Sequence, residues 1–461
     1  MPLQFNRRLL PLLALAGLSL AGAAVGMASE PAATAPATDS YDDQAPLSTV
    51  AQLGKKLFFD PSLSGGGQMS CATCHDPANH YAPANGLAVQ LGGPHLDQPG
   101  IRAVPSLAYK MSTPSFSIGE ESPADEAAEA SPMTEASGVA LANAPAAVAG
   151  PLTAQAVVKA DAAAAANLVP QGGMFWDGRV DSLEDQALQP MISPFEMANA
   201  DAAAVYAKLK KGYGKEISAL FGDNVANDQD MMISEIGFAL ARYQVEERSF
   251  HPYTSKYDYY LLGKAVLTDA EARGLKLFDD ANKGNCASCH LDKMTGDGQM
   301  PNFTDFEFEA LGAPRNPAIP ANADAHYYDT GICGPLRNDT YSAQQQNCGL
   351  FKTPTLRNVA TRHVFFHNGV YRTLEDVTRF YVKRDTNPEE IYPKDASGKV
   401  LKYDDLPTQY QANIDVIDVP MNRKLGDAPA LNDAEIADVV AFLKTLTDGY
   451  DPAKDSMKAA K

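Results

Sequence analysis

The chain has 461 residues and a formal net charge of −19, with 57 acidic against 38 basic side chains. That balance argues against a nucleic-acid partner, which needs clustered Lys and Arg to neutralise phosphates, and suits a basic protein partner instead. The length exceeds one hydrophobic core, so two domains are expected. At the N-terminus Arg7 and Arg8 precede an apolar run over residues 9–25 and then small residues around Ala28 and Ser29. This pattern predicts a cleaved export signal over residues 1–28. No Cys follows to take a lipid, and no later stretch approaches the roughly 18 apolar residues of a spanning helix. The mature chain is therefore expected to be soluble and periplasmic.

An internal repeat dominates the rest of the chain. Gly54-Lys55-Lys56-Leu57-Phe58-Phe59-Asp60 stands before Cys71-Ala72-Thr73-Cys74-His75, and Gly274-Leu275-Lys276-Leu277-Phe278-Asp279-Asp280 stands before Cys286-Ala287-Ser288-Cys289-His290. Each copy predicts an amphipathic helix leading into a Cys-x-x-Cys-His turn, the second opened by a capping box at Thr268 and Glu271. Each copy also closes on a helix. Ile233, Ile236, Leu240 and Tyr243 carry the first stripe. In the second, Ile436, Val439, Val440, Leu443 and Leu446 do so, with Asn432 and Glu435 as the capping pair and Gly449 as the stop. The expected fold is all-α, with a first domain over residues 46–255, a second over 265–450, and a join near 250–265. Residues 112–167 are rich in Ala, Pro, Ser, Thr and Glu with almost no aromatic residues. They predict a mobile insertion in the first domain with no chemistry of its own.

Cys-x-x-Cys-His divides one task among its parts. Two thiols add to the haem vinyl groups and the adjacent His binds iron, so Cys71, Cys74, Cys286 and Cys289 are the expected attachment points of two haem c groups, with His75 and His290 as proximal ligands. Cys-x-x-Cys also spaces zinc ligands and thioredoxin-type redox pairs. Zinc would not require His after both pairs, however, and no βαβ pattern is present. The remaining cysteines, Cys333 and Cys348, would close a short loop as a disulfide after export, with two independent thiols as the alternative.

The stretch Phe175-Trp176-Asp177-Gly178-Arg179, continuing through Leu183, Gln186, Pro190, Glu196 and Met197, resembles bacterial di-haem cytochrome c peroxidases and MauG-type enzymes. So do Phe351-Lys352-Thr353-Pro354-Thr355-Leu356-Arg357-Asn358 and Phe366-His367-Asn368-Gly369. The resemblance implies two cytochrome c-like domains with their haems facing across the interface. It implies hydrogen peroxide reduced at the His75-bound haem, with Glu196 as general acid/base, Gln186 orienting the oxygen and Trp176, the sole tryptophan, passing electrons from the second haem. A small cytochrome c would supply them. The distal ligand of the second haem falls on Tyr381, where peroxidases carry Met and MauG carries Tyr; tyrosinate lowers the potential and Met raises it. Tyr381 thus favours a MauG-like enzyme oxidising a partner protein, whereas a non-catalytic di-haem carrier would need neither Glu196 nor an open iron. His95 falls where peroxidases carry a loop His that ligates the resting iron. Ala103, Arg362 and Val364 fall where the family binds calcium, without the family's Asn side chain but with main-chain oxygens.

Overall fold

The computed structural model describes residues 45–120 and 168–454, so the expected export signal over residues 1–28 and residues 121–167 of the insertion lie outside the described residues. In chain order the described helices are α1 (Thr49–Phe59), α2 (Cys71–Cys74), α3 (Leu183–Ile192), α4 (Ala202–Phe221), α5 (Asp223–Asn227), α6 (Gln229–Glu246), α7 (Lys256–Leu261), α8 (Asp269–Asp279), α9 (Leu374–Lys383), α10 (Pro388–Ile391) and α11 (Asp433–Lys444). Three two-stranded antiparallel ribbons accompany them: β1 (Leu91–Gly92) with β2 (Gln98–Pro99), β3 (Ser117–Glu120) with β4 (Leu168–Gln171), and β5 (Phe308–Glu309) with β6 (Phe351–Lys352).

Local chemistry sets the two repeated helix pairs. Ser48 caps α1 through the Ala51 N–H, Thr268 and Glu271 form the capping box of α8, and Asn432 and Glu435 form that of α11. The apolar stripes then bury into two cores. Leu53, Leu57 and Phe58 of α1 pack with Ile236, Leu240 and Tyr243 of α6. Phe278 of α8 packs with Ile436, Val439, Val440, Phe442 and Leu443 of α11 and with Phe303. Each pair crosses at a glycine. A Cβ on Gly54 would stand 1.9 Å from the Ala239 carbonyl oxygen and 2.9 Å from the Tyr243 Cβ; one on Gly274 would stand 1.9 Å from the Asp438 oxygen and 2.9 Å from the Phe442 Cβ. The repeat seen in sequence is thus a repeat of backbone contact.

Two expectations need correction. The insertion does not begin as an unstructured segment at residue 112, because Ser117–Glu120 pairs with Leu168–Gln171. Its single early aromatic anchors that ribbon: Phe116 lies 5.8 Å from Phe308 and 5.0 Å from Tyr341, under the Arg337 guanidinium. The join near 250–265 holds α7 and buries Tyr257 in the second core. Finally, α11 ends at Lys444 with Thr445 as its C-cap. Gly449 instead makes a later left-handed turn, its N–H donating to the Thr254 hydroxyl. Cys333 and Cys348 form a disulfide closing the loop between them.

The helix crossings predict opposite outcomes for two glycine substitutions. Gly274→Ala forces two backbones apart and is expected to lower holoprotein stability by about 1–3 kcal/mol in a denaturant titration. Gly212→Ala, on α4 with open space where its Cβ would go, is expected to raise it by about 0.5–1 kcal/mol.

Candidate active site

Each Cys-x-x-Cys-His turn projects its histidine in the same way. The His75 N–H donates to the Cys71 carbonyl at 2.9 Å, and the His290 N–H to that of Cys286 at 2.8 Å. The His75 Nδ1 lies 3.2 Å from the Tyr81 carbonyl oxygen and the His290 Nδ1 2.9 Å from that of Phe303. A carbonyl can only accept, so each Nδ1 carries the proton and each Nε2 keeps a free lone pair. Tyr81 and Phe303 hold these carbonyls in left-handed backbone, at φ of 57° and 54°. Burial, opposed by those hydrogen bonds, pushes both imidazoles down to about 4, so both are neutral donors at physiological pH. Burial likewise pushes the Cys71 and Cys286 thiols up to about 12 and Cys74 to about 11.

Two large open clefts lie beside these turns. About 1900 Å³ of space not filled by protein atoms adjoins Cys71, Cys74 and His75, with Phe58, Met69 and Leu240 among the walls. About 2000 Å³ adjoins Cys286, Cys289 and His290, with Leu374, Val439 and Leu443. Paired neutral thiols, one imidazole lone pair and apolar walls fit a broad, flat, apolar macrocycle carrying a metal. They do not fit zinc held by side chains alone, because among the described residues no group of three or more His, Cys, Asp or Glu could hold a metal ion.

Glu196 and Gln186 both border the His75 cleft. Burial raises the Glu196 carboxyl above the ordinary glutamate range, opposed by the Ser193 hydroxyl and the charge of Arg179. Its charge in turn reaches the Cys71 and Cys74 thiols. The backbone here is clamped by two glycine contacts: the Gly93 N–H donates to the Glu196 carbonyl at 2.9 Å, and the Gly65 N–H to that of Met197 at 2.6 Å. Arg179 lies over the Phe175 ring at 3.5 Å and donates to Gln189 at 3.0 Å. It was not singled out in the sequence although it stands in the quoted motif.

Trp176, with Pro105, borders both clefts. Its Nε1–H donates to the Ala103 carbonyl at 2.8 Å, and its own carbonyl accepts from the Lys352 N–H at 2.9 Å. The neighbouring Asp177 is fully buried and binds Arg102 at 2.7 Å and Arg179 at 3.0 Å. Arg102 reaches on to Asp329 at 2.6 and 2.8 Å, and Arg337 donates to the Asp177 carbonyl at 2.6 Å. The charges of Arg102 and Arg179 hold the Asp177 carboxyl below its usual range against the opposing effect of burial. Sequence inspection missed this network.

Tyr381 lies on α9 and borders the His290 cleft. Burial raises its phenol strongly, helped by the nearby Cys289 and Cys286 thiols, and its hydroxyl has no hydrogen-bond partner among the described residues. His95 is not brought to the His75 cleft. Pairing of Gly92 with Gln98 leaves His95 exposed in the β1–β2 loop. Of the three positions proposed for calcium, the Ala103 carbonyl already accepts from Trp176, and Arg362 sends its guanidinium to the Val104 carbonyl at 2.8 Å.

A fold of helices and three short two-stranded ribbons, with two like-built thiol–imidazole clefts both bordered by one tryptophan, fits a two-centre redox enzyme. The family described as di-haem cytochrome c peroxidase matches residues 48–266. The chain is 31% identical to methylamine utilization protein MauG of Paracoccus denitrificans over 89% of this chain and 92% of that one. It is 27% identical to cytochrome c551 peroxidase of Nitrosomonas europaea, over 74% and 76% respectively. The solved structure of the diheme peroxidase BthA from Burkholderia thailandensis superposes with a TM-score of 0.71 at 36% identity, covering 88% of this chain and 87% of that one. The chain belongs to the di-haem cytochrome c peroxidase/MauG family and is an oxidoreductase of the cytochrome-c peroxidase type. No helix among the described residues is long and apolar enough to cross a membrane.

Removing Arg102 would leave Asp177 and Asp329 buried without their cation. Arg102→Met is expected to cost about 3–5 kcal/mol in a denaturant titration of the holoprotein, and a loss below about 1 kcal/mol would contradict the assigned pairing.

Proposed function

We propose that the chain is an exported, periplasmic di-haem peroxidase that reduces hydrogen peroxide with electrons from a small carrier such as cytochrome c. In this reading residues 46–255 and 265–450 are two cytochrome c-like domains whose haems face across the interface. Cys71 and Cys74 attach the first haem, with His75 as its axial ligand; Cys286 and Cys289 attach the second, with His290 and Tyr381. Bound haem supplies an iron on which peroxide binds and through which electrons pass. The observation that carries the proposal is the asymmetry of the clefts: Glu196 borders only the His75 cleft, while Trp176 borders both.

The residues divide the task. Reduction of peroxide consumes two electrons and two protons and releases two waters. Glu196 as carboxylate takes the proton from the inner peroxide oxygen and returns it to the outer one, so that the O–O bond breaks with water as the leaving group. Gln186 orients the peroxide by a hydrogen bond. Trp176, held by Ala103 and Lys352, gives a fixed aromatic path for electrons arriving from the His290 side. Calcium has only main-chain oxygens to bind at Ala103, Arg362 and Val364, and no step depends on it.

A second reading rests on Tyr381. A tyrosinate at the second iron would stabilise the oxidised state, making this iron a poor acceptor of electrons from a small cytochrome and suiting it to storing oxidising equivalents for a partner protein, as in a MauG-like modifier.

The test is oxidation of reduced small cytochrome c by peroxide. Glu196→Gln is expected to slow it about 10²–10⁴-fold. The wild-type rate should fall with decreasing pH as Glu196 protonates, at a pH above the ordinary glutamate range because burial raises this carboxyl. A variant as fast as wild type would remove Glu196 from the mechanism. If wild type oxidises no cytochrome yet keeps a peroxide-induced spectral change, the MauG-like reading replaces the first; unchanged spectra would leave a carrier. Tyr381→Met is expected to raise the midpoint potential of the second haem in spectroelectrochemical titration, and an unchanged potential would remove Tyr381 as a ligand.

A further inference from the structure

The buried cations around Trp176 are not all matched by carboxylates. Arg102 meets Asp177 and Asp329, and Arg357 meets Asp258 at 2.8 Å. Lys110, Lys352 and Arg362 border the His290 cleft together with Trp176, yet none forms an ion pair with a carboxylate of the described residues. Arg362 has the Val104 carbonyl at 2.8 Å and Lys352 has the Gly173 carbonyl. The Lys110 ammonium has no hydrogen-bond partner among the described residues.

These three groups are also close enough to repel. Burial first, and then the charge of Arg362, pushes Lys110 down to about 8; burial and the charge of Lys110 push Lys352 well down, opposed by the charge of Asp177. Burial alone pushes Arg362 down to about 10. Arg362 and Lys110 are felt at His75 as well, so the cluster stands between the two thiol–imidazole sites. Lys352 is buried and Lys110 and Arg362 are half-buried, and like charges gathered there without an ion-paired carboxylate are favoured when a bound group supplies the anions. A surface cluster would be solvated, but Lys352 is buried. The cleft these cations border fits a porphyrin, which carries two carboxylate side chains of its own.

We propose that Lys110, Arg362 and Lys352 bind haem carboxylates beside Trp176 and thereby raise the haem midpoint potentials. The inference rests on the haem reading of the two clefts and adds which residues receive the acidic edge of the cofactor. The physical consequence is direct: reducing a haem adds one negative charge, and a cation close by in a low-dielectric site favours that charge. A charge-assisted hydrogen bond to the carboxylate also fixes the distance at which the cation acts.

The test uses the exported holoprotein with Lys110→Met, Arg362→Met and the pair together. Intact mass and haemochrome absorbance first count the haems attached. Absence of covalent haem from wild type would overturn the haem reading and this inference with it. With both haems attached, spectroelectrochemical titration is expected to show a lower midpoint potential in each neutral variant, and a larger drop in the double variant. Unchanged potentials in variants carrying both haems would overturn the inference while leaving the haem reading intact. Should the neutral variants lose haem, Lys110→Arg and Arg362→Lys carry the test, because they keep the charge and change the donor geometry. A shifted carboxylate bending band in their resonance Raman spectra supports the contact, and an unshifted band overturns it.

Discussion

One buried ion network governs the geometry of the centre. Arg102 from the first half of the chain bridges Asp177, next to Trp176, and Asp329 from the second half, and all three side chains are nearly or wholly out of water. Such pairing gives little net stability over apolar packing, because both ions forfeit hydration; its effect is to fix one arrangement, since any displacement leaves a bare charge in a low-dielectric interior. Trp176 sits at the end of that constraint. Its indole N–H is tied to the segment that carries Arg102 and its backbone to β6, so the only tryptophan of the chain is held where both clefts reach it.

Around this centre the two modules are built alike and finished differently. The glycine crossings, the carbonyl-bound histidines and the left-handed residues that offer those carbonyls recur in both halves. The difference lies in what each cleft receives. The first has a half-buried carboxylate, Glu196, whose backbone is clamped by the β1–β2 loop, with Gly65 holding the next residue. The second has Tyr381 and a set of cations without carboxylate partners. Equal frames with unequal walls suit a division between a site that handles protons and a site that exchanges electrons.

Much of this was legible in the sequence where the determinant was local. Cys-x-x-Cys-His, the capping pairs at Thr268/Glu271 and Asn432/Glu435, and the apolar stripes of α6 and α11 are each written within a few turns of chain. Gly54 and Gly274 stood in the repeat but revealed their purpose only as helix contacts. What stayed hidden depends on partners distant in sequence: Arg102 and Asp329 are separated by 227 residues, and nothing near either marks them as a pair. The lack of carboxylate partners for Lys110, Lys352 and Arg362 is likewise a property of the assembled interior. The β3–β4 ribbon escaped notice because composition over residues 112–167 outweighed one aromatic, Phe116, whose edge-on partners Phe308 and Tyr341 lie on the second half of the chain. His95 was placed by its distance from Ala103, but the strand register leaves it exposed in a loop.

The central role assigned to Trp176 is to connect the two redox centres. The direct measurement is rapid mixing of reduced holoprotein with one equivalent of peroxide, with the absorbance of each haem followed separately in wild type and in Trp176→Phe. Both haems are expected to respond in wild type, whereas in the variant the second haem should lag while the first still reacts. Equal response of the second haem in both proteins would contradict that role.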